Sequence, residues 1–188
     1  MTTCSIGRWL VLPVLLLTGA AAHTATVFTT WTNVDLANDT ATGSLGEVTI
    51  ALSGTGANPG NLTFYETASN VFTSGAFSTP AYNVDRLEFG VSPAPAQQFT
   101  LSFSSPVSNP IVHLYSTVSV ITFTGGVSSI TRLPGILGND NNFSVSGLTV
   151  SAGDNLNVAN GTIRLDGLVS AVTFTTVLTG PFTVDGIT

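Results

Sequence analysis

The stretch QFTLSF (98–103) decides the fold class, because Phe99, Leu101 and Phe103 alternate with three polar residues. This period of two is typical of a β-strand that buries one face and exposes the other. The same alternation recurs elsewhere along the chain, in EVTIAL (47–52), NLTFYE (61–66), GTIRLDG (161–167) and SAVTFTTVL (170–178). Together these stretches predict a series of half-buried strands.

Turn-forming clusters separate the predicted strands: SGTGANPGN (53–61), GVSPAPAQ (90–97), LPGILGNDNN (133–142) and SAGDN (151–155). Gly, Pro, Asn and Asp supply the backbone angles that turns require. No segment after the N-terminus has a convincing helical period. We therefore expect an all-β fold, an antiparallel two-sheet β-sandwich of the jelly-roll or immunoglobulin-like kind. TATGSLGEV (40–48) and GNLTFYETASNVF (60–72) alternate less strictly, which predicts looser structure there.

The N-terminus has the three parts of a secretory signal peptide. Arg8 precedes an apolar run over residues 10–17, and three alanines at 20–22 form a small-residue cleavage site. The apolar run is shorter than the ~20 residues that a membrane-spanning helix needs. We expect residues 1–22 to be removed and residues 23–188 to form one secreted β-sandwich domain at the cell surface. Cys4 leaves with the signal, so no disulfide is expected.

Composition limits the partners of the mature chain. The chain has no lysine, and only 7% of its residues are charged. After loss of Arg8, three arginines face ten acidic residues, a net charge of −7. Nucleic acid and anionic membranes are poor partners for such a surface. We expect the partner to be a second copy of the chain or a surface polysaccharide, with no membrane span after signal removal.

Four motifs occur in a fixed order: FSSPVSNPIVHLYS (103–116), ITRLPG (130–135), NNFSVSGLTV (141–150) and GTIRLDGLVSAVTFT (161–175). With the opening WTNVDLANDTATGSLGEVTIALSG (31–54), this set resembles β-sandwich modules of exported bacterial surface proteins, both adhesin-like and exosortase-sorted (PEP-CTERM-type). The resemblance implies export and a surface or matrix setting, and it implies no catalytic residues. This chain departs from the family by ending at GPFTVDGIT (180–188) without a Pro-Glu-Pro sorting tail.

His113 is one of only two histidines and lies in the predicted strand IVHLY (111–115). On a strand, His113 and Tyr115 share one face, whereas Val112 and Leu114 share the other. If Val112 and Leu114 point inward, His113 is exposed or lines a groove. If the strand is covered on both faces, His113 is buried and must be hydrogen-bonded. A structural role is favoured.

A copper site is the more specific alternative to a structural role for the two histidines. His23 stands at the predicted new N-terminus, so its amine and ring, together with the ring of His113, offer three nitrogens to Cu(II). Tyr115 is a candidate axial neighbour. Secreted copper monooxygenases use this arrangement, but the rest of the chain resembles none of their motifs. We do not expect a copper cofactor.

Other chemistry is sparse. Asp85 and Glu88 face opposite sides of a strand, so they do not form a glycosidase pair, and no G-x-S-x-G motif is present. We therefore expect no enzyme activity and no catalytic residue. GNDNN (138–142) and AGDN (152–155) could supply oxygens to calcium, but they lack the regular Asp spacing of a dedicated loop. Turn chemistry explains both segments equally well.

Two kinds of binding surface are suggested by the pattern. Candidate glycan-binding residues are four aromatic side chains, which core packing explains equally well: Trp31, Tyr65, Tyr82 and Tyr115. TWT (30–32) and two TFT motifs (122–124 and 173–175) resemble the threonine arrays of ice-binding proteins. The solvent face of any half-buried strand gives the same string.

The absence of lysine also bears on assembly, because natural sheets guard their edges with charged residues, lysine above all. HTATVFTTWTNV (23–34) is an uncharged segment that could pair with its own sheet or be donated to a neighbour. The candidate residues for strand donation are Thr26, Phe28, Trp31 and Val34. We expect a secreted, non-catalytic surface or matrix protein that adheres or self-assembles into filaments, with a carbohydrate-binding module as the alternative.

Overall fold

The computed structural model describes residues 27–55, 62–68, 84–90, 96–134, 143–152, 159–178 and 184–187. These residues form fourteen β-strands. In chain order they are β1 (Thr29–Asp35), β2 (Thr40–Leu45), β3 (Val48–Thr55), β4 (Leu62–Ala68), β5 (Val84–Gly90), β6 (Gln97–Ser108), β7 (Ile111–Thr117), β8 (Ser119–Gly125), β9 (Ile130–Leu133), β10 (Phe143–Ser146), β11 (Thr149–Ala152), β12 (Ala159–Leu165), β13 (Leu168–Leu178) and β14 (Val184–Ile187).

The strands form two antiparallel sheets. The larger sheet has eight strands in the order β1-β2-β3-β6-β13-β8-β11-β10, and the smaller sheet has six in the order β4-β5-β14-β7-β12-β9. One apolar cluster contains buried side chains from both sheets, so the sheets pack face to face. The prediction of an all-β, antiparallel two-sheet sandwich is confirmed.

The alternation in residues 98–103 marks the core face of the larger sheet. Phe99, Leu101 and Phe103 on β6 are buried, and the residues between them are partly buried or exposed. Phe174 on the neighbouring strand β13 stacks on Phe99 with ring centroids 5.6 Å apart, and its centroid lies 5.8 Å from that of Phe123 on β8. Three aromatic rings on adjacent strands thus fill the centre of the sandwich.

The smaller sheet meets this core through one face of β7 and β12. Val112 and Leu114 line the same small apolar void, about 20 Å³, as Phe123 and Phe174 of the larger sheet. Because side chains alternate along a strand, His113 lies on the opposite face of the smaller sheet, away from the void. The chain thus buries His113 on a face that does not contact the larger sheet.

The segment with weak alternation at 40–48 contains the regular strand β2, a two-residue turn and the start of β3, so the expectation of looser structure there is wrong. β2 pairs with β3 over its whole length and with β1 across a bulge between Trp31 and Asn33. A Cβ at Gly43 would collide with the carbonyl oxygen of Thr30 on β1. Glycine interrupts the apolar pattern at this position because the β1 backbone approaches so closely.

The structure describes the chain from residue 27 onward, so it bears on only some of the predictions for the N-terminus. The predicted signal peptide (1–22), His23 and Thr26 lie outside the described residues. From Thr29 the segment proposed for donation forms β1, the edge strand of its own sheet. Trp31 is buried in the core and Val34 packs against it, while Phe28 is partly buried. This arrangement counts against donation of the segment into a neighbouring molecule.

Candidate functional site

His113 is a buried residue with a defined cross-strand partner. Its Nδ1 lies 3.0 Å from the Oγ1 of Thr162, the residue directly opposite on β12. His113 is 4% exposed and Thr162 is fully buried. Burial lowers the pKa of His113 from its ordinary value of 6.5 to about 4, so the ring is neutral at pH 7. These observations favour the structural alternative for His113.

The copper hypothesis receives no geometric support from the described residues. One ring nitrogen of His113 is engaged by Thr162, and His23 lies outside the described ranges. Within those ranges no group of three His, Cys, Asp or Glu side chains is placed to hold a metal ion. The calcium candidates at 138–142 and 152–155 fall almost wholly outside the described residues, so calcium binding stays a prediction.

Two sequence-distant turns are joined by direct hydrogen bonds, and we call this contact the turn clasp (Asn109, Pro110, Leu165 and Gly167). The amide of Asn109 donates to the carbonyl of Gly167 at 2.7 Å, and the amide of Gly167 donates to Oδ1 of Asn109 at 2.8 Å. The Leu165 amide donates to the Pro110 carbonyl at 2.9 Å. The clasp connects the β6–β7 turn to the β12–β13 turn.

Asp166, beside the clasp, gathers hydroxyl and guanidinium donors. Thr131 and Ser129 donate to its Oδ2 at 2.7 and 3.1 Å, and Nε of Arg164 lies 2.6 Å from its Oδ1. The Thr131 hydroxyl, followed by the Arg164 side chain, lowers the pKa of the carboxyl group. Asp166 was not among the residues predicted from the sequence. Three of the four motifs that carry the family resemblance meet here, which gives them a structural explanation.

Another acidic residue, the buried Asp39, ties the two sheets together. It occupies the turn between β1 and β2 with a φ of 53° and is 4% exposed. Its Oδ1 accepts a 2.7 Å hydrogen bond from the amide of Leu62, at the start of β4 in the smaller sheet. Its carbonyl accepts one from Gly54 on β3. No local pattern marks this residue either, because an Asp in a turn is unremarkable without its distant partners.

The four aromatic residues proposed for glycan binding do not form one surface. Trp31 is only 6% exposed and packs into the core, which counts against its place on a glycan platform. Tyr115, on the outward face of the smaller sheet, is partly buried. Tyr82 lies outside the described residues. Tyr65 is placed in β4 by its backbone alone, so its role stays a prediction.

Hydroxyl-bearing side chains predominate on the outward face of the larger sheet, and we call it the hydroxyl face. Ala51, Gln98, Val120 and Ala171 lie among them. Its Ser and Thr members come from all eight strands: Thr30, Thr40, Thr42, Ser44, Thr49, Ser53, Thr55, Thr100, Ser102, Ser104, Thr122, Ser144, Ser146, Thr149, Ser151, Thr173 and Thr175. Asp35, at the end of edge strand β1, carries the one charge among the described strand residues on this face.

Neighbouring hydroxyls of this face are in register. Thr122 lies opposite Thr175 on one side and Thr149 on the other, and its Oγ1 is 3.4 Å from that of Thr149. Thr100 lies opposite Thr173, with 3.2 Å between their hydroxyl oxygens. The two TFT motifs noted in the sequence therefore contribute to one surface. Thr122, Thr173 and Thr175 point away from the core, and the phenylalanine of each motif points into it.

The four edge strands differ in how they are protected. In the smaller sheet, β4 contains Glu66 and β9 contains the exposed Arg132. In the larger sheet, β10 contains no charged residue, and β1 is uncharged from Thr29 to Val34. Charges on edge strands discourage pairing with another chain. The edges of the larger sheet are thus the less protected ones.

Comparisons with protein-family models, with curated proteins and with solved structures each gave no match. In the part of the chain that the structure describes, no helix is long and apolar enough to cross a membrane.

Proposed function

We propose that this protein is a secreted, non-catalytic structural protein of the cell surface or extracellular matrix, which assembles by pairing the edges of its larger sheet. The observation that carries the proposal is β1, a seven-residue edge strand whose first six residues bear no charge. The outer main-chain groups of an edge strand are available to a further strand. Assembly here means adding strands to an existing sheet, with β1 kept in its own fold.

The partner edge in this proposal is β10 of the next molecule. β1 and β10 are the two edges of the same sheet, so pairing them joins the larger sheets of successive molecules. Such a heterologous contact produces an open polymer when the rotation between successive molecules does not close a ring. Pairing of β1 with β1 of a second molecule would instead close a two-fold dimer. The low charge of the strands allows close approach in both cases, so the polymer and the dimer must be separated by experiment.

The test uses the mature chain from His23, examined by light scattering over a range of concentrations and by negative-stain microscopy. We expect filaments from the unaltered chain. Thr30→Lys places a charge on the exposed face of β1 and should suppress assembly. Thr42→Lys is the matched control, because it adds the same charge to an exposed position of the paired strand β2.

Three results would overturn the proposal. A chain that stays monomeric at high concentration excludes self-assembly. Filaments that form equally well from both lysine variants exclude β1 as the pairing edge. Discrete dimers that Thr30→Lys disrupts would retain β1 as the interface but exclude the β1–β10 polymer.

A further inference from the structure

The hydroxyl face is a two-dimensional array, which distinguishes it from a single polar strand. Adjacent strands of a sheet lie about 4.8 Å apart, and alternate residues on one strand are about 6.7 Å apart. Six neighbouring strands contribute to one row in register, and that row contains Thr55, Gln98, Thr175, Thr122, Thr149 and Ser146. The strand pairing fixes the spacing of this row, because every member is held by the main-chain ladder on at least one side.

Contacts between side chains restrict the array further. The hydroxyl oxygens of Thr100 and Thr173 are 3.2 Å apart, and those of Thr122 and Thr149 are 3.4 Å apart. The β-branched side chain of threonine has few χ1 rotamers even without such contacts. The hydroxyl and methyl groups are therefore positioned before any partner arrives, which lowers the entropy lost on binding.

The chemistry of the face excludes several kinds of partner. Among its described strand residues the single charged group is Asp35 at one corner, so the face has little to attract an ionic ligand. The aromatic rings of β6, β8 and β13 point into the core, which removes the platform on which sugar rings stack. A protein partner would have to replace hydroxyl–water bonds by equivalent ones, with little net gain for each bond. Serine is accordingly depleted in protein interfaces.

A partner made of ordered water does not require the hydroxyl–water hydrogen bonds to be replaced, because the partner itself supplies the water molecules that bind the hydroxyl groups. We propose that the hydroxyl face binds the surface of an ice crystal. Threonine and serine hydroxyls hydrogen-bond to water molecules of the crystal surface, and the threonine methyl groups lie in the spaces between them. Each contact is weak, and affinity arises because many fixed groups engage the same lattice at once. The scarcity of charged groups fits this partner, since ions hold their own hydration shells.

The experiment measures incorporation of the mature chain into slowly growing ice, together with inhibition of ice recrystallisation. We expect the unaltered chain to be enriched in the ice fraction. Thr122→Tyr, near the middle of the long row, places a bulky ring on the array and should cause a several-fold loss of incorporation. Ser128→Tyr is the matched control at an exposed residue outside the strands, and it should leave incorporation unchanged. Circular dichroism is the check that each variant is folded.

Three results would overturn the proposal. Exclusion of the unaltered chain from ice removes ice as the partner, and equal incorporation of the Thr122→Tyr variant removes the hydroxyl face as the ice-binding site. Binding to microcrystalline cellulose, lost in the Thr122→Tyr variant and without enrichment in ice, assigns the face to a polysaccharide instead. Failure here leaves edge pairing intact, because β1 assembly is read from light scattering in the absence of ice.

Discussion

The two sheets use their outward faces differently. Over residues 98–104 of β6, the outward side chains of the larger sheet are partly buried or exposed, and all but Gln98 carry a hydroxyl group. On the smaller sheet the outward residues His113 and Thr162 are almost completely buried and bonded to each other. The burial pattern of β12 has therefore lost the alternation that β6 keeps. A face that buries its polar groups serves stability, whereas a face that exposes a regular array is free to bind a partner.

The largest effect is expected from breaking the inner face of β13 while sparing its outer face. Phe174→Ala removes the ring that contacts Phe99 and Phe123, and it should lower the free energy of unfolding by about 3–5 kcal/mol. Thr173→Val, one residue earlier and outward, should change it by less than about 1 kcal/mol. Urea denaturation measures both. Equal losses would show that the two faces do not differ in their contribution to stability.

A pH titration tests the burial of the smaller sheet's outward face. The pKa of His113 is about 4 in the folded chain and 6.5 ordinarily, so the unfolded chain binds the proton first as pH falls. The stabilisation is complete above pH 6.5 and is lost between pH 6.5 and 4, a decrease of about 3 kcal/mol. Denaturation at a series of pH values measures this slope. His113→Gln should reduce it, and an unchanged slope would mean that other groups cause it.

Two glycines of the larger sheet differ in the space available for a Cβ atom, one beside edge strand β1 and the other in the interior of the sheet. Gly43→Ala would drive a Cβ into the β1 carbonyl of Thr30 and should cost about 2–3 kcal/mol. Gly125→Ala meets only the Thr173 Cβ at 3.9 Å, so it should be tolerated within about 0.5 kcal/mol. Thermal denaturation of both variants is the measurement. Tolerance of Gly43→Ala would mean that β1 does not approach β2 so closely.

The smallest effect concerns the hydrogen bond on the smaller sheet. Thr162→Val keeps the shape of the side chain but removes the hydroxyl that contacts Nδ1 of His113, at a cost of about 1–2 kcal/mol. Thr162→Ser retains a hydroxyl and should recover part of that loss. Chemical denaturation separates the two variants. If valine were as stable as threonine, the bond would contribute nothing measurable.

The local sequence pattern was sufficient to predict the strands whose core residues alternate with polar ones. Phe99, Leu101 and Phe103 could be assigned to one buried face because the period of a strand depends on the strand alone. The face to which His113 belongs could not be decided in the same way. Its burial depends on which residues cover the outward side of the smaller sheet, and the sequence of one strand does not reveal them.

The candidate site was harder to predict because its parts meet through tertiary pairing. The TFT motifs suggested a threonine array, but whether Thr122 lies beside Thr149 and Thr175 depends on strand order and register. Trp31 was proposed for binding from its residue type, yet the inward side of β1 buries it. Asp166 has partners up to 37 residues away, so its role is visible only in the folded chain.

The pairing of β6 with β13 has a further consequence, for the order of events in folding. Their cross-strand threonines, Thr100 and Thr173, are 73 residues apart in the chain, and both strands lie at the centre of the larger sheet. A chain that leaves a ribosome or a translocation channel from its N-terminus presents β6 long before β13 exists. Closing such a long loop is slow, and no local contact substitutes for it. The polypeptide should therefore remain unfolded, and able to pass through a narrow channel, until nearly its whole length has emerged.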